Sequence, residues 1–525
     1  MTRILLILFL GLFALPATAA LDPAVVKQLA ADDSDTSIAA IRQLGQQPEA
    51  VSLLEAMAND ELLVSEGTLF LLVGEDALDA ATGAAITPLP ETYESVSVNS
   101  RVRRHLSSVL ASMKLRDADR TVRLEAAQTL RESPDADLIP VLAQAMAQET
   151  DAEIKALLQR AHALSSLASP QAADRLTAIA FLDDSTSPAT RSLLLPLTDA
   201  EREPDAMVRE AAAKAVRAIE TRLALGEILG QVFTGVSLGS ILLLAALGLA
   251  ITYGVMGVIN MAHGELLMVG AYSTYLVQTL FRNHLPGLLD WYLLAAIPVA
   301  FMVAALVGML LERTVIRRLY GRPLETLLAT WGLSLILIQA ARVIFGAQNV
   351  EVANPTWMSG GVELMAGLVL PWNRIVIVGF ALFVLALMWA LMQKTRLGLF
   401  VRAVTQNRGM AGCVGVPTGR IDMLAFGLGA GIAGLGGVAL SQIANVGPDM
   451  GQGYIVDSFL VVVLGGVGQL AGAVWAALGL GVVTKFLEGW SGAVIAKIMV
   501  LVIVIIVIQK RPQGLFALKG RFVEN

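Results

Sequence analysis

The sequence predicts an all-α protein in two parts, a polytopic membrane helix bundle of eight or nine spans preceded by an exported α-helical domain. Three observations carry this expectation. The chain has 525 residues, of which 55% are hydrophobic and only 16% charged, with a mean hydropathy of +0.67, whereas a soluble domain carries about a quarter charged residues. Charge is split along the chain: residues 21–225 hold 32 acidic against 19 basic side chains, and residues 226–525 hold 12 against 18. Every long apolar stretch after the first twenty residues lies beyond residue 228. One acidic, water-soluble part and one apolar, mildly basic part are therefore joined. The only cysteine is Cys413, so no intramolecular disulfide can form and the exported part must be stable through its core alone.

Residues 1–20 read as a signal peptide: Arg3, an apolar run from Ile4 to Leu15, Pro16, and the small residues Ala17-Thr18-Ala19-Ala20. A cut is expected after Ala19 or Ala20, with a retained signal anchor as the alternative; either sends residue 21 onward across the membrane. Residues 21–225 contain no run long enough to span a bilayer, and apolar residues recur at helical spacing, as in Ile38, Ile41 and Leu44. The pattern Asp119-x-x-Val122-Arg123-x-x-Ala126-Ala127-x-x-Leu130-Arg131 returns from Asp205 to Arg217, with a weaker copy from Asp151. The Asp is expected to cap a helix, the apolar residues to pack on a neighbour, and the Arg to reach toward the preceding unit. The domain resembles a degenerate HEAT or armadillo-like solenoid, for which protein docking would be the expected role; an irregular helical bundle is the other reading.

From residue 226 the chain is read as a transmembrane domain. Its apolar stretches are 232–253, 260–281, 291–312, 325–345, 374–393, 421–442, 456–468, 470–487 and 493–509. A helical span needs about 20 residues, so 456–468 reads as a broken or re-entrant helix. Thirteen basic residues fall in three segments, 313–322, 394–420 and 510–521, which should be cytoplasmic. With the N-terminal domain in the periplasm and the C-terminus inside, nine crossings fit both the signal and the loop charges.

Three segments carry candidate function. Residues 427–437 are dense in glycine, including Gly431 and Gly434, and Gly465, Gly466, Gly468 and Gly472 form a second set. Small residues allow helices to approach closely in lipid, and glycine also permits a bending gate. The segment 257–265 places Asn260, His263 and Glu265 between two apolar runs; ionisable groups there mark a translocation path, or else Asn260 caps a helix and Glu265 occupies its first turn. One His and one Glu two residues apart do not converge on a metal. The basic, partly apolar loop 394–420 suits a short helix lying on the membrane face, docked on a cytoplasmic partner or resting on headgroups.

Five ordered motifs then resemble a known family: Gly235-Val-Ser-Leu-Gly239; Gly257 to Tyr272; Arg402-Ala-Val-Thr-Gln-Asn407 with Ala411, Gly415 and Val416; Leu464 to Gly472; and Arg511-Pro-Gln-Gly-Leu-Phe516. Together they are similar to the permeases of branched-chain amino-acid-type ABC importers over about residues 228–520. The exported extension and the run Leu328 to Leu335 are similar to the urea-transporting members of that family. The resemblance implies that 402–416 is the coupling helix receiving an ATPase, through Arg402, Ala403, Gln406, Asn407, Ala411 and Gly415. It implies a bacterial inner-membrane location and four kinds of partner: a second permease subunit, two cytoplasmic ATPase subunits, a periplasmic substrate-binding protein and the lipid bilayer. Urea is the expected substrate, with a branched-chain amino acid or short amide as the alternative.

The sequence holds no G-x-x-x-x-G-K-[ST] phosphate loop, no nucleophile–base set and only four histidines. No enzymatic activity, cofactor, metal or nucleic-acid partner is therefore expected. A passive channel with an accessory exported domain is the rival from another class, as is a membrane-anchored interaction receptor.

Overall fold

A computed structural model describes residues 21–516, apart from 32, 66, 74–75, 87, 89, 91, 366–367, 467 and 512–513. The expected signal peptide lies outside the described residues. The chain divides into two compact units, Met1–Leu223 and Ala224–Asn525.

The first unit contains α1 (Pro23–Gln28), α2 (Ser34–Leu44), α3 (Val51–Ala58), a sheet, then α4 (Ser100–Lys114), α5 (Arg120–Glu132), α6 (Ile139–Gln148), α7 (Ala152–Ser166), α8 (Ala172–Leu182) and α9 (Pro188–Leu194). The first turns of α10 (Ala206–Met256) complete it; the division falls between Leu223 and Ala224. Several of these helices start where an Asp or Asn side chain accepts from free amide groups of the first turn: Asp119 from Thr121 N, Asp151 from Glu153 N and Ile154 N, Asp205 from Met207 N and Val208 N. The recurring Arg does reach back, since Arg123 donates to the carbonyls of Asp117 and Ala118, and Arg209 to those of Glu203 and Pro204. It also reaches forward: Arg123 holds Glu149 at 3.0 Å, and Arg175 grips Glu203 with two bonds of 2.8 and 2.7 Å. Each Glu sits two residues before the next Asp cap and accepts from its backbone amide, so each turn is tied to the helix start that follows. Three small apolar cores form in chain order, around Ile41 and Leu54, around Leu130 and Ile154, and around Ile179 and Val208.

The sequence reading omitted a five-stranded antiparallel sheet in this unit: β1 (Leu62–Ser65), β2 (Thr68–Val73), β3 (Asp76–Asp79), β4 (Ala85–Ile86) and β5 (Glu94–Ser95), in the order β4-β3-β2-β1-β5. Leu62-Leu63-Val64 and Leu69 to Val73 are continuous apolar runs without alternation, and such short runs do not distinguish a strand from a helix segment.

The Arg175–Glu203 pair gives a first prediction. Both residues are buried, and the Arg175 guanidinium, with the Asp205 amide, holds the Glu203 carboxyl below its usual range against the cost of burial. Arg175→Ala should destabilise this unit by about 3–5 kcal/mol by leaving an uncompensated buried charge. Because the folded pKa is depressed, Glu203's contribution is full above the unfolded value of about 4.3 and is lost as pH falls through the folded value. Amide exchange of residues 172–210 in the full chain, at neutral pH and near pH 4, measures both effects.

The second unit holds the remainder of α10, then α11 (His263–His284), α12 (Tyr292–Thr314), α13 (Pro323–Phe345), the hairpin β6 (Gly361–Met365) and β7 (Leu368–Pro371), α14 (Trp372–Lys394), α15 (Arg396–Gln406), α16 (Arg408–Cys413), α17 (Thr418–Ser441), α18 (Met450–Gly465), α19 (Leu470–Ser491) and α20 (Ala493–Lys510). Among the described residues, seven helical segments are long and apolar enough to cross a membrane. The other two of the nine apolar stretches fall on α11, which has 22 residues but is more polar, and on α18, which is apolar but has only 16. α17 runs through the middle, with α11 and α12 packed along it, and glycines set the spacing. A Cβ on Gly437 would lie 2.0 Å from the Leu267 carbonyl oxygen, and one on Gly270 would lie 2.2 Å from that of Gly434.

Candidate functional site

Two regions collect the residues that sequence reasoning singled out. The first is the break between α10 and α11. α10 ends at Met256 and Gly257 turns the chain with φ +65°. Yet the His263 ring Nε2 lies 2.9 Å from the carbonyl of Ala245, eleven residues before that end. At 1.5 Å per residue, α11 starts about 16 Å back along α10, so residues 257–262 run as irregular backbone inside the bundle. Such backbone is tolerated at membrane depth only where protein or a water-filled cavity surrounds it. The start of α18 meets it there, since a Cβ on Gly264 would come within 2.3 Å of the Gly451 carbonyl oxygen. Two helix N-termini therefore converge, each presenting the positive end of its dipole.

The three polar residues at this break are almost fully buried and face different neighbours. Asn260 Oδ1 accepts from Ala262 N at 3.1 Å; it shapes the irregular segment and does not cap α11, whose N-cap position is Ala262. Asn260 also lines a cavity of about 100 Å³ between α10 and α18, with Leu249, Tyr253, Ile455 and Phe459. Glu265 occupies the first turn of α11, as expected, and its Oε1 accepts from Ser334 of α13 at 2.9 Å. Among the described residues Asn260 Nδ2, His263 Nδ1, Glu265 Oε2 and, two turns along α11, the Tyr272 hydroxyl have no hydrogen-bond partner. Leaving buried polar atoms unpaired is costly, so these four atoms have capacity for a visiting polar molecule. Tyr272 and Ser334 fall within the motifs Gly257–Tyr272 and Leu328–Leu335, but the sequence did not single them out as site residues. Ser334 sits in an apolar run, and only the fold brings it to Glu265.

The glycine candidates separate by role. Gly431 lies against the Phe301 ring, where a Cβ would be 2.5 Å from it, and Gly434 packs on Ala304 and Gly270; both are packing positions. Gly465 abuts Gly472, while Gly466 and Gly468 take φ +96° and +79° and end α18, conformations that favour glycine. Leu515 N donates to Leu464 O at 2.8 Å, so the last sequence motif is bonded directly to the fourth.

The second region is the basic loop. The expected single short helix is two: α15 ends at Asn407, whose extended backbone (φ −153°, ψ 101°) breaks the helix and whose Oδ1 then caps α16 through Met410 N. Three of the expected coupling residues also make contacts within the chain. Ala411 is buried under α16 at 4% exposure, packed with the bundle and not offered to a partner. Arg402 donates to the Met392 carbonyl. Arg408 pairs with Asp422 on α17 and lies over the Tyr320 ring at 5.1 Å. Both guanidiniums are thus engaged within the chain. Outward-facing on this segment are Leu399, Arg402, Gln406, Asn407, Arg408, Met410, Val414 and Gly415, with Ala403 half-buried.

Beneath α16 lies a polar network that the sequence did not show. Glu312 and Asp422 are fully buried carboxylates. Arg317 holds Glu312 bidentately at 3.1 and 3.0 Å and donates to the Gly419 carbonyl at 2.7 Å. Tyr320 donates to Glu312 at 2.8 Å, and its hydroxyl also lies 3.0 Å from the Met256 sulfur. Burial and the Glu312 bond push the Tyr320 hydroxyl far above its ordinary pKa, so it remains a proton donor. The ends of α10, α12, α16 and α17 are thereby joined. Among the described residues no cluster of His, Cys, Asp and Glu is arranged to hold a metal ion.

A bundle with buried, unsatisfied polar atoms at a broken helix, and an outward-facing apolar helix tied into its base, defines a membrane transport component. Residues 231–508 match the family described as branched-chain amino acid transport system / permease component, and the chain belongs to that family. The high-affinity branched-chain amino acid transport system permease protein BraD of Pseudomonas aeruginosa is 30% identical over 293 residues, covering 55% of this chain and 95% of that protein. LivH of Escherichia coli, a permease protein of the same description, is 29% identical over 294 residues, 55% of this chain and 94% of its own. A probable branched-chain amino acid transport permease protein LivH of Methanocaldococcus jannaschii is 26% identical over 292 residues, 53% and 88%. No solved structure matches.

Proposed function

We propose that the chain is the permease subunit of an ATP-driven importer in a bacterial inner membrane, working with a second permease, two cytoplasmic ATPase subunits and a periplasmic binding protein. Residues 21–225 form a periplasmic domain and residues 226–525 the permease, with the C-terminus cytoplasmic. The observation that carries this reading is α16: a short helix with Met410 and Val414 turned outward at 61% and 72% exposure, anchored from below through Arg408. Exposed apolar side chains on a helix rimmed by basic residues suit protein docking. Asn260, His263 and Glu265 belong to the translocation path, where their unpaired atoms accommodate a small polar nitrogen compound. Urea is the proposed substrate, because the N-terminal extension and the run Leu328–Leu335 resemble those of urea-transporting members of the family. A branched-chain amino acid is the second reading, favoured by the similarity to branched-chain amino acid permeases.

Three experiments test this. Cys413 is the only cysteine and is exposed. A membrane-impermeant maleimide should therefore label it in inverted vesicles and leave it unlabelled in intact spheroplasts; labelling from outside would overturn the topology. Val414→Asp, which changes a surface residue, should lower substrate uptake at least tenfold with the protein still present in the membrane. Normal uptake by that variant would remove α16 as the docking helix. Labelled urea, short amides and leucine, supplied to a deletion strain under nitrogen limitation, decide the substrate.

A further inference from the structure

A cleft of about 240 Å³ opens between α10, α18, α19 and α20, away from the polar residues of the α10–α11 break. Its walls are apolar, with Leu242 and Leu480 among them, yet four charged side chains line it, Asp457, Lys485, Glu488 and Lys497, beside Tyr454. Lys497 Nζ stands 3.6 Å from the Asp457 carboxylate, tying α20 loosely to α18, and Lys485 Nζ is 2.6 Å from Glu488 along α19. Asp457 keeps 29% of its side chain exposed and Lys497 keeps 61%.

Charges within apolar spans are expensive and face a bundle interior or a water-filled cavity. Long lysine side chains could reach headgroups, but an aspartate is too short to do so. Asp457 lies in the middle of α18, so its carboxylate must meet water, a ligand or protein. The cleft is also many times the roughly 30 Å³ share of one liquid water, which leaves room for a molecule of amino-acid size.

We propose that this cleft is a binding subsite for a small molecule with N–H donors at one end and an oxygen acceptor at the other. The N–H groups bond Asp457 and Glu488, the oxygen meets Lys497 and Lys485, and the apolar wall of Leu242 and Leu480 limits what else fits. The two ion pairs are the resting state, and the ligand enters by parting the looser one. A urea or short amide and a zwitterionic amino acid share this chemistry. The inference rests on the permease reading above and adds a place along its path.

The test is uptake of labelled urea and labelled leucine by the deletion strain expressing the full chain with its natural partner subunits, alongside the amount of protein in the membrane. Asp457→Asn and Lys497→Gln should each lower uptake of the transported substrate at least tenfold at saturating concentration, with unchanged protein amount. The exchanged pair, Asp457→Lys with Lys497→Asp, preserves the helix tie but reverses the polarity of the site, and should remain inactive. If the exchanged pair transports at the normal rate, or the single variants do, the cleft holds helices together and binds nothing. Should Asp457→Asn fail to accumulate, Glu488→Gln decides: at least a threefold loss supports the subsite and normal uptake overturns it. The wild type separates the two ligand sources by which substrate it carries. If it carries neither, the permease reading fails and the subsite falls with it.

Discussion

A valine at Gly437 should prevent the membrane unit from closing. The Cβ alone would sit 2.0 Å from the Leu267 carbonyl oxygen and 2.8 Å from the Ala271 amide nitrogen, both of them backbone atoms of α11 that no side-chain rotation can move. Overpacking a core costs about 1–3 kcal/mol when side chains can shift, so here the cost is expected at the top of that range or above. Gly479→Val is the matched control, since nothing lies within 4 Å of a Cβ placed there. The measurement is the fraction extracted in mild detergent as a monodisperse species, with its thermal midpoint. Gly437→Val should lose most of that fraction and Gly479→Val should resemble the native chain. Equal behaviour of the two would mean that α11 and α17 do not meet through these backbones.

Replacing Arg408 with leucine is expected to have the next largest effect. Asp422 is fully buried, and Arg408 is its ion-pair partner. Removing one member of a buried pair is commonly worth 3–5 kcal/mol, while replacing both by apolar residues is often neutral. Arg408 is itself 43% exposed, so solvent relieves part of the penalty and about 2 kcal/mol is the expected loss. The double variant Arg408→Leu with Asp422→Leu should recover most of that stability. It should not recover uptake, because the connection from α16 to α17 and Tyr320 would still be missing. Thermal midpoints and uptake measured on the same three proteins separate the two roles. A double variant that transports normally would show the network to be structural alone.

The two regions differ in how far the sequence revealed them. Gly257 to Glu265 was visible because polar residues interrupting an apolar run carry a signal in one dimension. What that segment does was not visible: Asn260 shapes irregular backbone where a cap was expected, and Glu265 meets Ser334, a residue 69 positions away with no local mark. In the basic loop, amphipathic composition located the surface helix, yet it did not show that Ala411 is buried against the bundle or that the two arginines bond to the Met392 carbonyl and to Asp422. Alternation of apolar and charged residues fixes a helical face, but only tertiary packing fixes which neighbour each face meets.

The sequence by itself determined the division into an acidic helical part and an apolar spanning part, the position of nearly every span, and the Asp caps that begin the helices of the first unit. These follow from hydrophobic transfer and backbone hydrogen bonding, which act over a few neighbouring residues. Tertiary structure alone decided that α11 begins deep beside α10, that Glu312, Arg317, Tyr320, Arg408 and Asp422 form one network, and that Asp457 and Lys497 share a cleft. Those pairings join residues up to about a hundred positions apart, and they depend on which glycines let two backbones touch, a choice made only when the whole bundle packs.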